Sequence, residues 1–477
     1  MCHRPISVAR MHYLSDDDVI PNSVWKPELD ELRRRERLAE DLGGAEKVAR
    51  QHHFGKQTVR ERIEQFVDEG SFWEIGKTAG VAEYDDEGEL VGFVPSNFVF
   101  GLAEVDGRPA VVSGDDFTVR GGSNDASISS KREASESIAL EMQLPHIRLV
   151  DGMAGGGSVK TIEQSGRTYI PVLPGWNTVL EHANVAPSVA LALGSVAGFG
   201  ALRVASAHYC LIVQDTAQMM IAGPALVEQA ALGTVSKEEL GSALIHSRNG
   251  AVDDVVQSET EAFERTLHFL SYLPSSVYEL PPIEDFGDAV DRRDESLLDV
   301  VPRDPRQAYD MRSIVASVFD LDSFFEIGRH WGTSIIGGCP ADGIPMAVYA
   351  EDPRIYGGVG RRLRAQTDTA ARPRLHVSPA GDPSRGLSRI PDRQRGRGEG
   401  HDPLRRHGHA ALHQLSTPYC TVVIRKAFGV AGASNRKPGT TSLRLAWPSG
   451  DWGSLPIEGG LEVAYKAELA RSADPEG

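Results

Sequence analysis

The chain has 477 residues, 40% of them hydrophobic and 25% charged, the composition of a globular protein longer than one hydrophobic core usually supports. Asp and Glu outnumber Lys and Arg by 67 to 50, giving a formal net charge of -17, which argues against a general polyanion binder. The four cysteines, Cys2, Cys210, Cys339 and Cys420, form no CxxC pair, so neither a zinc knuckle nor a disulfide framework is indicated and a reducing cytoplasm fits.

In chain order, the opening "MCHRPISVARMHYLSDDDV" lacks the apolar core of a signal peptide, and residues 1–44 read as an extension. "TVRERIEQFVDE" (58–69) has a helical pattern, and after "SFWEIGK" (71–77) come the strand runs "FVFGLAEV" and "AVVSG", joined through Asp-Gly, a strong signal for a tight hairpin turn. "ASISSKREASESIALEMQL" (126–144) reads as a helix. The uncharged run "VAPSVALALGSVAGFGAL" (185–202) approaches transmembrane length, but its Gly, Ser and Pro suit a buried strand, turn and helix. A strand "HYCLIV" and a helix "SETEAFERTLHFLSYL" (258–273) follow, and the prolines and serines of "SYLPSSVYELPP" (271–282) end that helix and begin a linker.

Beyond the linker the pattern starts again. A helical "AYDMRSIVASVFD" (308–320) precedes "SFFEIGR" (323–329), which matches "SFWEIGK" at almost every position, and "GGCPADGIPMAV" (337–348) repeats the Asp-Gly hairpin of "GLAEVDGRPAVV" (101–112). The strand run "YCTVVIR" lies further on. The sequence therefore predicts an α/β protein made by tandem duplication, with domains at 45–275 and 305–477 and a linker at 276–304.

Side-chain motifs for catalysis are scarce: there is no GxSxG, HExxH or GxxxxGK[ST], and single histidines read as surface or satisfied core residues. Gly-rich stretches do follow apolar strands, at "RGGSND" (120–125), "DGMAGGGSVK" (151–160), "GSVAGFGA" (194–201) and "KAFGVAGASN" (426–435). Such turns expose backbone N–H groups suited to a phosphate or a developing oxyanion, although glycines of this kind mostly serve tight turns or close packing. "GSVAGFGA" lies in the first repeat and "KAFGVAGASN" in the second, so a duplicated fold could carry two oxyanion pockets.

The ordered set "GKQTVRERI", "DEGSFWEIG", "EVDGRPAVVSGDDFTVRGGS", "AGFGALRVASAH", "QMMIAGPALV", "SKEELGSALIHSRNGAVDD" and "LSYLPSS", continued by "YDMRSIVASVFD", "TPYCTVVIRKAFGVAGASN" and "LAWP", resembles the carboxyltransferase (beta) subunit of biotin-dependent acyl-CoA carboxylases, over about 45–356 and 410–460. The resemblance implies two tandem crotonase-like domains, each a spiral of strand, strand, helix units, sharing active sites between partner subunits, usually in a hexamer. It implies carboxyl transfer from carboxybiotin, carried by a biotin carboxylase or biotin carrier partner, to the α-carbon of an acyl-CoA, with no role for nucleic acid or membrane. Backbone N–H pairs would hold the enolate and ureido oxyanions, the first pair falling on Gly198 and Phe199 and the second on Val430 and Ala431. The family position that often carries Asp in the acyl pocket falls on Ala433, which leaves room for a larger acyl group. Coenzyme A contacts are expected at Gly121, Gly122, Ser123, Lys131 and Arg132, with Gly155 and Gly156 in the next Gly-rich turn.

The resemblance breaks between "YAEDPRIYGG" and "ALHQLSTPYC", where Val359 to His409 holds twelve Arg and no aromatic residue. A nucleic-acid patch would need aromatic stacking platforms. Reading residues 376–393 one base out of frame permits Thr-Phe-His-Leu-Pro-Val-Ile-Leu-His-Val-Asp-Cys-Pro-Gly-Phe-Leu-Ile-Gly, the strand and turn that the family has there. Two compensating frame changes, near Gly358 and Ala410, would explain the strip, and would leave the first domain intact and the second compromised. The chain also stops at "AELARSADPEG", short of a further helical segment expected from the family. Three other readings carry distinct signatures: a malonyl-type CoA decarboxylase depending on a membrane partner, a non-catalytic assembly subunit binding CoA without turnover, and an Arg-rich nucleic-acid binder with steep salt dependence.

Overall fold

A computed structural model describes residues 24–355, apart from 124–127, 155–162, 164–165, 167–172, 174, 231, 305 and 331–333, and residues 417–471, apart from 430–431, 433–440, 457–459, 462–463 and 470. Helices α1 (Lys26–Glu40), α2 (Ala45–His53) and α3 (Val59–Phe66) open the described chain. Thr58 and Glu61 form a reciprocal capping box at the start of α3, each satisfying a backbone N–H that the helix leaves without a partner.

Strands β1 (Trp73–Glu74), β2 (Gly80–Tyr84), β3 (Leu90–Pro95), β4 (Phe98–Val105) and β5 (Arg108–Asp115) follow, then α4 (Ser129–Met142), β6 (His146–Val150) and β7 (Met153–Ala154). Next come α5 (Trp176–His182), β8 (Ser188–Ala192), β9 (Ser195–Gly198), α6 (Phe199–Ala205), β10 (Tyr209–Val213), β11 (Gln218–Met220), β12 (Asp254–Val256) and α7 (Glu259–Ser271). The later elements are α8 (Met311–Val318), β13 (Phe325–Ile327), β14 (Ser334–Ala341), β15 (Ile344–Glu351), β16 (Tyr419–Val423), β17 (Lys426–Phe428), β18 (Ser442–Ala446) and β19 (Asp451–Gly453).

The largest sheet runs β1-β4-β5-β6-β8-β10-β12, antiparallel at its β1 edge and parallel from β5 onward. β6, β8 and β10 are buried along their whole length, as apolar runs covered on both faces must be in a parallel sheet. A second sheet, β11-β9-β7, takes the chain as it leaves the ends of β6, β8 and β10. The uncharged run 185–202 is thus β8, β9 and the start of α6, a core segment, and among the described residues no helix is long and apolar enough to cross a membrane.

Both Asp-Gly hairpins form. Asp106 and Gly107 have φ of 52° and 70°, and Asp342 and Gly343 have φ of 51° and 71°, the paired left-handed conformation of a two-residue turn that follows the strand twist.

The chain divides into two compact units, one of residues 1–285, 325–332 and 337–347, the other of 286–324, 333–336 and 348–477. In the first unit the core gathers Val59, Ile63 and Phe66 of α3 with Val112, Ile147, Leu149, Leu191, Leu211, Ile212 and, from α7, Phe263 and Phe269. Each such fully buried aliphatic or aromatic side chain contributes roughly 1.5–3 kcal/mol. In the second unit Tyr309, Met311, Ile314 and Ile335 form a smaller cluster joined by Ile424 and Trp447. There Arg425 donates to the carbonyls of Pro302 at 2.6 Å and Gln307 at 2.7 Å and lies over the Tyr309 ring.

The duplication is visible in strand pairing. β16 pairs parallel with β18 and β17 with β19, repeating the parallel pairs β8 with β10 and β9 with β11.

Candidate active site

Three Gly-rich turns meet where β6 and β8 leave the main sheet. Gly198, the last residue of β9, has φ 58° and ψ -119°, a conformation open to glycine and strained for any residue with a Cβ. It turns the chain directly into α6, whose first residue is Phe199, and the first N–H groups of a helix have no intrahelical acceptor. Phe199 is half-buried and meets Trp176 of α5 edge to face, with ring centroids 5.9 Å apart.

Gly121 and Gly122, with φ of 64° and 66°, follow Arg120, itself at 51°. A Cβ on Gly122 would lie 2.7 Å from the Cα of Gly152, so two backbones touch here with no room for a side chain. Gly152 in turn accepts a hydrogen bond through its carbonyl from the Ala197 N–H at 3.3 Å, one residue before Gly198. Ser123 is held by its carbonyl, which accepts from Asn97 Nδ2 at 2.7 Å. The structure therefore brings Gly121, Gly122 and Gly198 together through Gly152. Gly155, Gly156, Val430, Ala431 and Ala433 lie outside the described residues.

Lys131 and Arg132 sit in the first turn of α4, and both already face carboxylates. Lys131 is 6% exposed, with Nζ 3.5 Å from Glu74 Oε1, and burial pushes its pKa down against the attraction of Glu74. Arg132 lies 2.8 Å from Asp115 and over the Phe98 ring. A phosphate at either side chain would have to compete with those partners.

A serine, a histidine and a glutamate do line up in this unit. Ser113 Oγ is 2.9 Å from His146 Nε2, and His146 Nδ1 is 3.0 Å from Glu136 Oε2. All three are buried, and Glu136 also accepts from Arg148 at 2.6 and 3.0 Å and lies 3.5 Å from Arg203. Burial opposes its charge, yet Arg148 and His146 hold its carboxyl well below the usual carboxylate range. No substrate reaches this serine; the group ties α4, β5, β6 and α6 together, and His146 is a satisfied core histidine.

Sequence reasoning missed a second buried polar group. Asp151, directly before Gly152, accepts from Lys56 Nζ, Arg62 Nη1 and Gln51 Nε2, each at 2.9 Å, and Arg62 also donates to Glu259 at 2.6 and 2.9 Å. In the sequence Arg62 falls in the charged helical pattern 58–69 and Lys56 just before it, and neither carries a motif that marks it as buried. Their only advance signal is the apolar company of Val59, Ile63 and Phe66 on α3.

Comparison with known proteins places this geometry. The family model described as "Carboxyl transferase domain" matches residues 50–372. The chain belongs to the carboxyl transferase family. It is 29% identical over 458 residues to the propionyl-CoA carboxylase carboxyltransferase subunit of Haloferax mediterranei, covering 94% of this chain and 87% of that protein. It is 27% identical to the methylmalonyl-CoA decarboxylase subunit alpha of Veillonella parvula, covering 90% and 84%. Among solved structures it matches the transcarboxylase 12S hexamer, with methylmalonyl-coenzyme A and methylmalonic acid bound, at a TM-score of 0.78 and 22% identity, covering 95% of this chain and 88% of that one. That likeness is one of fold: this member of the family has the crotonase-like α/β architecture, as its duplicated strand order indicates.

Proposed function

We propose that this carboxyltransferase moves a carboxyl group from carboxybiotin, borne by a biotin carboxylase or biotin carrier partner, to the α-carbon of an acyl-CoA, in a cytoplasmic homo-oligomer of the hexameric kind. The observation that carries the reading is the side-chain-free backbone surface where Gly122 meets Gly152 beside the left-handed Gly198, in a chain of a carboxyl transferase family. Carboxybiotin supplies the carbon dioxide and, once discharged, the base for the α-proton. The chain itself then needs only fixed donors: the N–H groups of Gly198 and Phe199 hold the thioester oxygen as it becomes an enolate, without reorganising as charge develops. Phe199 still donates as a glycine would, since the hydrogen bond is made by the backbone, while its ring narrows the space above. The second donor pair, read from sequence as Val430 and Ala431, would face the ureido oxygen.

The test is the half-reaction without a partner. Incubated with methylmalonyl-CoA and biocytin, the protein should form propionyl-CoA at a rate that depends on biocytin. CoA-ester binding with no biocytin-dependent product would instead favour a non-catalytic assembly subunit. The likeness to a methylmalonyl-CoA decarboxylase subunit favours a second reading, use of this same half-reaction in the decarboxylating direction.

The division of labour between 45–275 and 305–477 belongs to the same proposal, as does the frame change. In the first repeat β6 lies between β5 and β8, whereas in the second β15 and β16 belong to separate sheets and residues 356–416 between them lie outside the described ones. The displaced frame over codons 379–386 permits Leu-Pro-Val-Ile-Leu-His-Val-Asp. Set against "LPHIRLVD" (144–151), it agrees at the first, second, fourth, seventh and eighth positions. The shifted reading thus supplies a second copy of the strand that the first repeat places at that point in its topology.

A further inference from the structure

We infer that Asp151 is the positioning residue that aligns the three Gly-rich turns, an inference that rests on the carboxyl-transfer reading of that site. Its carboxylate is wholly buried and sits at the one point that all three turns share. Through its own backbone it touches the first: the Asp151 carbonyl lies 2.9 Å from where a Cβ on Gly122 would be. The next residue, Gly152, accepts from Ala197 and so fixes the approach to Gly198. On the side-chain face, a Cβ on Gly194, at the exit from β8, would lie 1.9 Å from Asp151 Oδ1, so the β8–β9 turn is pressed against the carboxylate itself.

The carboxylate is held from the far side by groups on other elements. Lys56, on the loop between α2 and α3, reaches both oxygens at 2.9 Å and rests over the Phe117 ring at 4.2 Å. Arg62 of α3 bridges Asp151 to Glu259, the first residue of α7, and Gln51 of α2 adds a fourth donor bond. Two cations and two anions make a neutral quartet, so the buried charges are mutually compensated, but an apolar filling could serve stability as well or better. What the ion quartet adds is direction: four charge-assisted bonds fix the carboxylate, and the carboxylate fixes the turns. Asp151 touches no reacting atom. Its role is through the backbone of Gly152 and Gly194, and a 1 Å misplacement at such a site costs on the order of 100-fold in rate.

The test compares Asp151→Asn with Lys56→Arg. Asp151→Asn keeps size while removing the charge, and is expected to lower kcat for methylmalonyl-CoA with biocytin by on the order of 10- to 100-fold, with KM changed less than about threefold. Amide hydrogen exchange at Ala197 should accelerate while that of the central strand β10 does not. Lys56→Arg, which preserves the charge pair, should keep most of kcat. If Asp151→Asn proves too unstable to isolate, Glu259→Gln loosens Arg62 from the outer end of the quartet and should move the same two readouts in the same direction, by less. Unchanged kcat and unchanged Ala197 exchange in either variant would overturn the inference, and so would faster exchange spread evenly over β6, β8 and β10, which marks a merely structural role. Should the wild-type protein itself show no biocytin-dependent turnover, the carboxyl-transfer reading fails, while the exchange pattern still decides whether Asp151 aligns the turns.

Discussion

Lowering the pH from 7 to 4.5 should unfold the first unit far more readily than its carboxylates alone would allow, because two histidines are buried neutral. His146 lies in the core between Ser113 and Glu136, and His182 uses Nε2 to donate to the Leu144 carbonyl at 2.8 Å. Burial pushes both down to about 4, the more so beside Arg148, although Glu136 pulls the other way. The unfolded chain takes up these protons near pH 6.5 and the folded chain only near 4. Between those values the unfolded state binds more protons, so stability is complete above about 6.5 and falls as the pH drops toward 4. A difference of about 2.5 pH units at about 1.4 kcal/mol each makes every such histidine worth roughly 3–4 kcal/mol. Against a typical total of 5–15 kcal/mol that is a large share. Glu136 and Asp151, both held below the usual carboxylate range, lose their contribution only on further acidification; burial also lowers His246 and His268, which adds to the slope, and raises Asp116, which opposes it. Urea unfolding followed by tryptophan fluorescence, with Trp73 and Trp176 as reporters of this unit, measures the effect at half-unit steps of pH. His182→Gln, which can still donate to Leu144, should make the slope clearly shallower. A midpoint that stays constant from pH 7 to 4.5, or an unchanged slope in His182→Gln, would refute the argument.

The remaining predictions concern the site. Gly198→Ala forces a Cβ into φ 58° and ψ -119° and should cost roughly 1–3 kcal/mol of stability while lowering kcat, as read by melting and turnover together. Trp176→Ala removes the edge-to-face support of Phe199, worth about 1 kcal/mol, and should broaden the range of acyl-CoA esters accepted, seen as smaller differences in kcat/KM between short and long chains. Arg132→Ala tests the expected coenzyme A contact: a raised KM for the CoA ester with the same melting point supports it, whereas a lower melting point with unchanged KM assigns Arg132 to Asp115 alone. Resequencing the coding DNA across codons 355–412 should reveal one-base shifts that restore Asp-Cys-Pro-Gly-Phe; a strip that stands as written removes the frame-change account.

Local order was decided by sequence alone wherever the signal was itself local. The repeat of "SFWEIGK" as "SFFEIGR", the Asp-Gly turns and the apolar runs of β4, β8 and β10 are read without tertiary knowledge, because turn chemistry and strand burial act over a few residues. The glycines of the three turns were legible for the same reason, as punctuation after apolar runs. What they do together was not: Gly122 and Gly152 are thirty positions apart, and their contact exists only because β5 and β6 lie side by side. The burial of Lys131 against Glu74 and of Lys56 and Arg62 around Asp151 also escapes a linear reading, since charged residues in a polar stretch look solvated until another element covers them. Sequence determined which backbone turns this chain would make. Tertiary structure decided which of them meet, and which charges are removed from water to hold them, because burial is a property of neighbours brought in from afar.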